Sequence, residues 1–220
     1  FRVMSMTKSV LAAAAMMLVE EGRLKLDAPV DPWLPELANR KVLRSIESEL
    51  EDTVPASRAI TLRDLLTLRM GLGAIMAPAN TYPIQRAMAK AEVAPGPDPI
   101  PWSPDEYMKH VGGLPLVHQP GERWLYHTGF DVLAVLLARV AEEPLEEFLT
   151  ERIFAPLAMK DTAFSVTAGK LDRLATAYKR DEKGGLAVYD AARGGSYASA
   201  PVFPSGLVST ADDFLTFALM

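Results

Sequence analysis

The residue pattern predicts a mostly helical chain with a few short strands, and three observations carry this. The segment from Ser5 to Glu21 is dense in Ala, Leu and Met, which have high helix propensity. Helix-start signals recur at Thr61-Leu-Arg-Asp64, Ser103-Pro-Asp-Glu106 and Thr210-Ala-Asp-Asp213. Only one stretch, 174–190 with Gly184-Gly185 in its middle, reads as a β-hairpin.

Taken in order, the first helix runs from Ser5 to Glu21 and Gly22 stops it. Three prolines break residues 24–37 into turns and short helical pieces. A helix starts at Thr61 and runs to about Arg69, where Gly71 and Gly73 end it. Residues 74–102 are rich in proline and read as irregular loop near a substrate entrance, with a short helix around Ile84–Ala91. Ser103 caps the next helix, with Pro104 in its first turn. Helices follow over Gly129–Glu142 and Leu145–Phe154, split by Pro144. Thr210 starts the last one.

Length and composition suit one globular domain, or most of one: 220 residues, 49% of them hydrophobic. A net charge of −5 without a Lys/Arg cluster argues against a nucleic-acid groove. With no cysteine there is neither a disulfide framework nor a thiolate metal site, and cytoplasm and periplasm fit equally well. The apolar run Leu11 to Val19 is too short to span a bilayer and reads as a buried helix. The chain starts at Phe1 and stops at Met220 inside a fresh helix pattern, so it reads as a fragment of a longer protein.

Ser5-Met-Thr-Lys8 carries the chemistry. On a helix, positions i and i+3 share a face at roughly 5–6 Å between Cβ atoms, so Lys8 can sit over the Ser5 hydroxyl. A serine hydroxyl is a poor nucleophile at neutral pH and needs an adjacent base. The helix N-terminus adds unpaired N–H donors for an oxyanion. A chain of this length holds about one S-x-x-K by chance at ordinary composition. By itself the motif also fits a plain N-cap serine and a solvated first-turn lysine.

Later segments make the pattern specific. Ser5-x-x-Lys8 on an Ala-rich helix is followed by Gly22-Arg-Leu-Lys-Leu-Asp-Ala-Pro-Val30 and Ile60-Thr-Leu-Arg-Asp-Leu-Leu-Thr67 with Gly71-Leu72. Then come Pro120-Gly-Glu-Arg-Trp-Leu-Tyr126-His-Thr-Gly129, Pro156-Leu-Ala-Met-Lys-Asp-Thr-Ala-Phe164 and Gly206-Leu-Val-Ser-Thr-Ala-Asp-Asp213. This collinear set resembles the serine β-lactamase and penicillin-binding-protein superfamily, in the branch of class C β-lactamases and family VIII carboxylesterases. The resemblance covers nearly the whole chain. It implies an α+β fold, an antiparallel sheet flanked by helices with a helical lobe, in a single domain over 1–220. Much of the sheet would lie outside this window.

The resemblance also implies the roles. Ser5 is the nucleophile, Lys8 and Tyr126 share acid and base duty, and the Ser5 backbone N–H gives half of the oxyanion hole. Which of Lys8 and Tyr126 takes the serine proton is left open. Two departures bear on substrate. Thr128 stands where the family's Tyr-x-Asn motif has its Asn, and a hydroxyl lacks the paired donor and acceptor of an amide. That favours a short-chain carboxylic ester over a β-lactam or D-amino-acid peptide. The family's third motif is absent and would lie beyond Met220. A catalytically inactive ligand-binding relative is the reading from another class.

His127 reads as a pocket-lining histidine, and Trp102, Tyr107 and Trp124 as pocket or packing residues. His110 and His118 read as surface or loop residues. No paired metal-ligand spacing joins the three histidines, so neither a metal nor another cofactor is expected. Asp212-Asp213 reads as a pair of first-turn acids favoured by the helix dipole. The expected partner is a small-molecule ester or β-lactam-like substrate, with no nucleic acid and no membrane span.

Overall fold

The computed structural model describes all residues from Phe1 to Met220. A 3₁₀ turn at Met4–Met6 leads into helix α1, Thr7–Glu20. Val10, Leu11, Ala14, Ala15 and Leu18 form its buried stripe, at the spacing of one helical face. Gly22 takes φ +72 just past its end, a conformation that costs glycine little. Strands β1 (Lys41–Leu43) and β2 (Thr53–Pro55) pair antiparallel. Each has only three residues, too few for an alternating pattern to mark them in sequence.

Helix α2 spans Leu62–Leu66 and is set by a capping box. The Asp64 carboxylate accepts from Thr61 N at 2.9 Å and from the Arg58 guanidinium at 2.9 Å. Burial alone pushes this carboxyl up. Arg58 and the Thr61 donors more than offset that and hold it below the ordinary carboxylate range. The helix is shorter than the sequence suggests. Leu68 turns to φ +57, and its carbonyl then accepts from Leu125 N at 2.8 Å. That cross-link to the 120–126 segment ends α2 before Arg69.

Helices α3 (Pro83–Lys90) and α4 (Pro104–Gly113) follow, the latter with the Ser103–Glu106 capping box. Helix α5, Thr128–Ala141, is the central element and is buried almost all round, from Thr128 through Leu137 and again at Val140. It packs on α1, α2, α4 and α6 (Leu145–Leu149), and α6 runs on into a wider turn to Phe154. The hairpin of β3 (Ala177–Arg180) and β4 (Leu186–Asp190) and helix α7 (Ala211–Ala218) complete the chain. One hydrophobic core joins α1, α2, α4, α5 and α6. No helix is long and apolar enough to cross a membrane.

The 71–74 turn fixes the segment before α5. Ala74 N donates to Tyr126 O at 2.8 Å, and Val117 N donates to Gly71 O at 2.7 Å. At Gly73 a Cβ would lie 2.7 Å from the carbonyl oxygens of both Leu125 and Tyr126. Only glycine lets the two backbones approach this closely. Gly73→Ala should therefore cost about 1–3 kcal/mol, typical of overpacking a filled site. Urea denaturation reads this as a lower midpoint, and an unchanged midpoint would refute the close approach.

Candidate functional site

Two helix starts meet at the site. Ser5 sits in the turn that enters α1, and Lys8 lies in the first turn of α1. Tyr126 and His127 immediately precede α5. The turn bearing Ser5 is held from the far side. Val3 N donates to Leu207 O at 3.0 Å, and Leu207 N donates to the buried Thr7 Oγ1 at 3.0 Å. Residues 205–208 thereby flank the serine, and Gly206 lines the adjoining cleft.

Ser5 is exposed, and its Oγ is hydrogen-bonded closely to the Tyr126 hydroxyl. Lys8 Nζ donates to the same Oγ at 3.2 Å. The ammonium also lies 4.9 Å from the Tyr126 ring centroid and 6.0 Å from that of Phe130, where the ring quadrupoles attract it. One hydroxyl thus has a lysine and a phenol on it, and it opens into a cleft of about 270 Å³. One wall is the Val93–Asp98 run of the proline-rich segment. That wall is tied to β4, since Tyr189 Oη donates to Asp98 at 2.7 Å.

The other expected residues are placed differently. His127 lines the cleft, with its Nε2 3.4 Å from Asp131 Oδ2. Thr128 does not line it. Its side chain is turned into the core with 1% exposure, and its Oγ1 has no hydrogen-bond partner. The first turn of a helix buried on all sides leaves that hydroxyl no route to substrate. Trp102 lies outside the cleft too. Its Nε1 donates to Ala91 O at 3.0 Å and its ring packs on His110, so it braces the proline-rich wall from behind. Trp124 is half exposed and stacks on Tyr126 at 5.6 Å, also outside the lining. His110 is a half-buried helix residue rather than a surface one, and His118 is a half-buried loop residue. Asp213 accepts from Asp161 N at 2.8 Å and Thr162 Oγ1 at 2.9 Å, so it joins the 161–162 turn to α7.

Tyr107, read from the sequence as a pocket or packing residue, does line the cleft, and so does Asp131, which was not singled out from the sequence. Tyr107 Oη donates to Asp131 Oδ2 at 3.4 Å. The available signal was an acid four residues after His127, within the otherwise apolar run 130–137. Burial raises the Asp131 carboxyl to about 7, although Lys8 and the Tyr107 hydroxyl pull the other way. Burial, and then Lys8, lower His127 to about 4. By distance the two could be an ion pair. Between about pH 4 and 7, however, desolvation leaves a neutral imidazole against a protonated carboxyl.

The two groups pull stability in opposite directions. The lowered His127 value favours folding above 6.5, and that contribution is lost as pH falls toward about 4. The raised Asp131 value favours folding below 3.8, and that contribution is lost as pH rises toward about 7. Between about pH 4 and 6.5 the slopes cancel in the parent protein. Asp131→Asn should therefore make stability rise with pH across this window relative to the parent, and His127→Asn should make it fall. Each slope is at most about 1.4 kcal/mol per pH unit. Denaturant titrations at several pH values check this, and three parallel pH dependences would contradict it.

The sequence matches the family model described as Beta-lactamase over residues 1–220. It is 41% identical to an uncharacterised Mycobacterium tuberculosis protein over 223 residues, covering 100% of this chain and 53% of that one. It is 31% identical to the esterase EstB of Burkholderia gladioli over 180 residues, covering 81% of this chain and 41% of that enzyme. The fold superposes on EstCE1, described as a hydrolase with promiscuous acyltransferase activity, with a TM-score of 0.76 and 26% identity. That match covers 98% of this chain and 57% of EstCE1. The chain thus spans about half the length of the proteins it matches.

Proposed function

The chain belongs to the Beta-lactamase family, and we propose that it carries the nucleophile half of a serine hydrolase that works through an acyl-enzyme on short-chain carboxylic esters. The observation that carries this reading is the Ser5 hydroxyl, exposed to a cleft and hydrogen-bonded by both Lys8 and Tyr126. The esterase among its relatives supports the reaction class.

The Lys8–Tyr126 pair acts with one proton fewer than ammonium plus phenol. Ser5 Oγ attacks the ester carbonyl carbon, the C=O π electrons move onto the oxygen, and the Ser5 proton passes to the pair. The tetrahedral intermediate places its oxyanion by the Ser5 backbone N–H, at a helix start where the dipole favours negative charge. The C–O bond to the alcohol breaks, and the pair returns the proton to the departing alkoxide. Water then attacks the acyl-Ser5 ester and loses a proton to the same pair, which returns it to Ser5 Oγ as the acid is released. An alcohol taking the place of that water would give acyl transfer with the same residues.

Two features favour a small ester. A cleft of about 270 Å³ lies below the usual 300–1,000 Å³ range of ligand pockets and suits a short acyl group. Position 128 offers the cleft neither an amide nor a hydroxyl, because Thr128 is buried.

The test is hydrolysis of p-nitrophenyl butyrate by the complete protein and its Ser5→Ala variant, with a chromogenic cephalosporin alongside. Ester turnover should fall by about 10³-fold or more in the variant, with little turnover of the lactam. Ester turnover that survives Ser5→Ala would refute the nucleophile. Dominant lactam turnover would make the protein a β-lactamase. No turnover, with no labelling of Ser5 by a fluorophosphonate, would favour a ligand-binding protein.

A further inference from the structure

The backbone at His127 is strained. It stands at φ 84, ψ −75, a γ-turn geometry that non-glycine residues adopt at a cost of order 1–3 kcal/mol. Such a conformation persists only where the surroundings over-determine it. It is also the conformation that hands the chain from Tyr126 to the start of α5.

Its surroundings form a chain of contacts. The His127 ring meets Tyr126 edge-on at 5.9 Å and places Nε2 3.4 Å from Asp131, one turn into α5. Asp131 in turn receives the Tyr107 hydroxyl from α4. The Tyr107 ring is buried and packs on Phe203 at 4.8 Å. No step in the acyl-transfer chemistry needs Asp131, yet a carboxyl that costs much to desolvate is kept within the otherwise apolar run 130–137.

We propose that Asp131 is a positioning residue: through His127 it holds the strained turn that aims the Tyr126 hydroxyl at Ser5, with Tyr107 bracing it from behind. This rests on the reading of Ser5 as an acyl-accepting nucleophile. The device works by contact and hydrogen bonding rather than by charge. Tyr107 Oη and His127 Nε2 both face Oδ2 of a carboxyl that is largely protonated below about pH 7, and an asparagine carbonyl oxygen set in that place can accept from each. Leucine fills the space and accepts from neither.

The experiment measures kcat and KM for p-nitrophenyl butyrate, the rate of Ser5 labelling by a fluorophosphonate, and the melting temperature. It uses the complete protein at pH 6.5 with Asp131→Asn, Asp131→Leu and Tyr107→Phe. Asp131→Leu should lower kcat and the labelling rate by about 10- to 100-fold, as a misplacement near 1 Å does, with KM little changed. Asp131→Asn should recover to within about threefold of the parent, and Tyr107→Phe should fall between the two. Tyr107→Phe keeps the packed ring, so it keeps the test decisive if Asp131→Leu does not fold. Parental kcat and labelling in folded Asp131→Leu or Tyr107→Phe would overturn the inference. Loss in Asp131→Asn equal to that in Asp131→Leu would overturn it too, because charge rather than contact would then be the cause. Failure of the underlying reading looks different: the parent protein itself would not label at Ser5.

Discussion

Everything at this site depends on the burial of α5 against α1 and α2. The two helices that carry reactive groups start at the same cleft, one behind Ser5 and one behind Tyr126. Their separation is fixed by side chains such as Leu11, Ala14, Val132 and Leu136, which are almost wholly removed from water. Each large aliphatic side chain so buried contributes about 1.5–3 kcal/mol, and close packing leaves the helices little freedom to slide. A hydrogen bond from Lys8 or Tyr126 could not by itself hold two helices in register. The packing sets the geometry, and the polar contacts use it.

Glycine and aspartate finish what packing begins. Gly73 lets the 71–74 turn lie against the Tyr126 backbone. Asp64 holds the start of α2, whose far end delivers the Leu68 carbonyl to Leu125. Two backbone hydrogen bonds therefore pin the chain just before Tyr126, and α5 pins it just after. His127 is the residue between these fixed ends and takes up the mismatch as backbone strain. Near neutral pH its imidazole is uncharged and adds no positive charge beside Ser5.

Much of this was legible in the sequence where the signal is local. The capping boxes at Thr61 and Ser103, the glycine stop at Gly22 and the hairpin around Gly184-Gly185 all stand where their chemistry places them. The Ser5–Lys8 relation follows from helical spacing. Its link to Tyr126 came from family resemblance, because no local rule brings residues 121 positions apart together. Non-local facts were not legible. The early end of α2 depends on Leu125, which α2 meets only in the fold. Thr128 looked available to substrate because a sequence does not say which face of a helix start will be covered. Trp102 and Trp124 look alike as aromatic residues near a motif, yet one braces a loop and the other stacks on the outer side of Tyr126. Asp131 was hidden by being one acid in an apolar run, where burial rather than residue type gives it its character.

The central claim is that an acyl group is carried on Ser5. Mixing the complete protein with p-nitrophenyl butyrate, quenching in acid within the first turnover and measuring intact and peptide masses tests it directly. The expected result is a mass gain of one butyryl group, confined to the peptide that contains Ser5. Steady turnover with no adduct at Ser5, or an adduct on another residue, would contradict it.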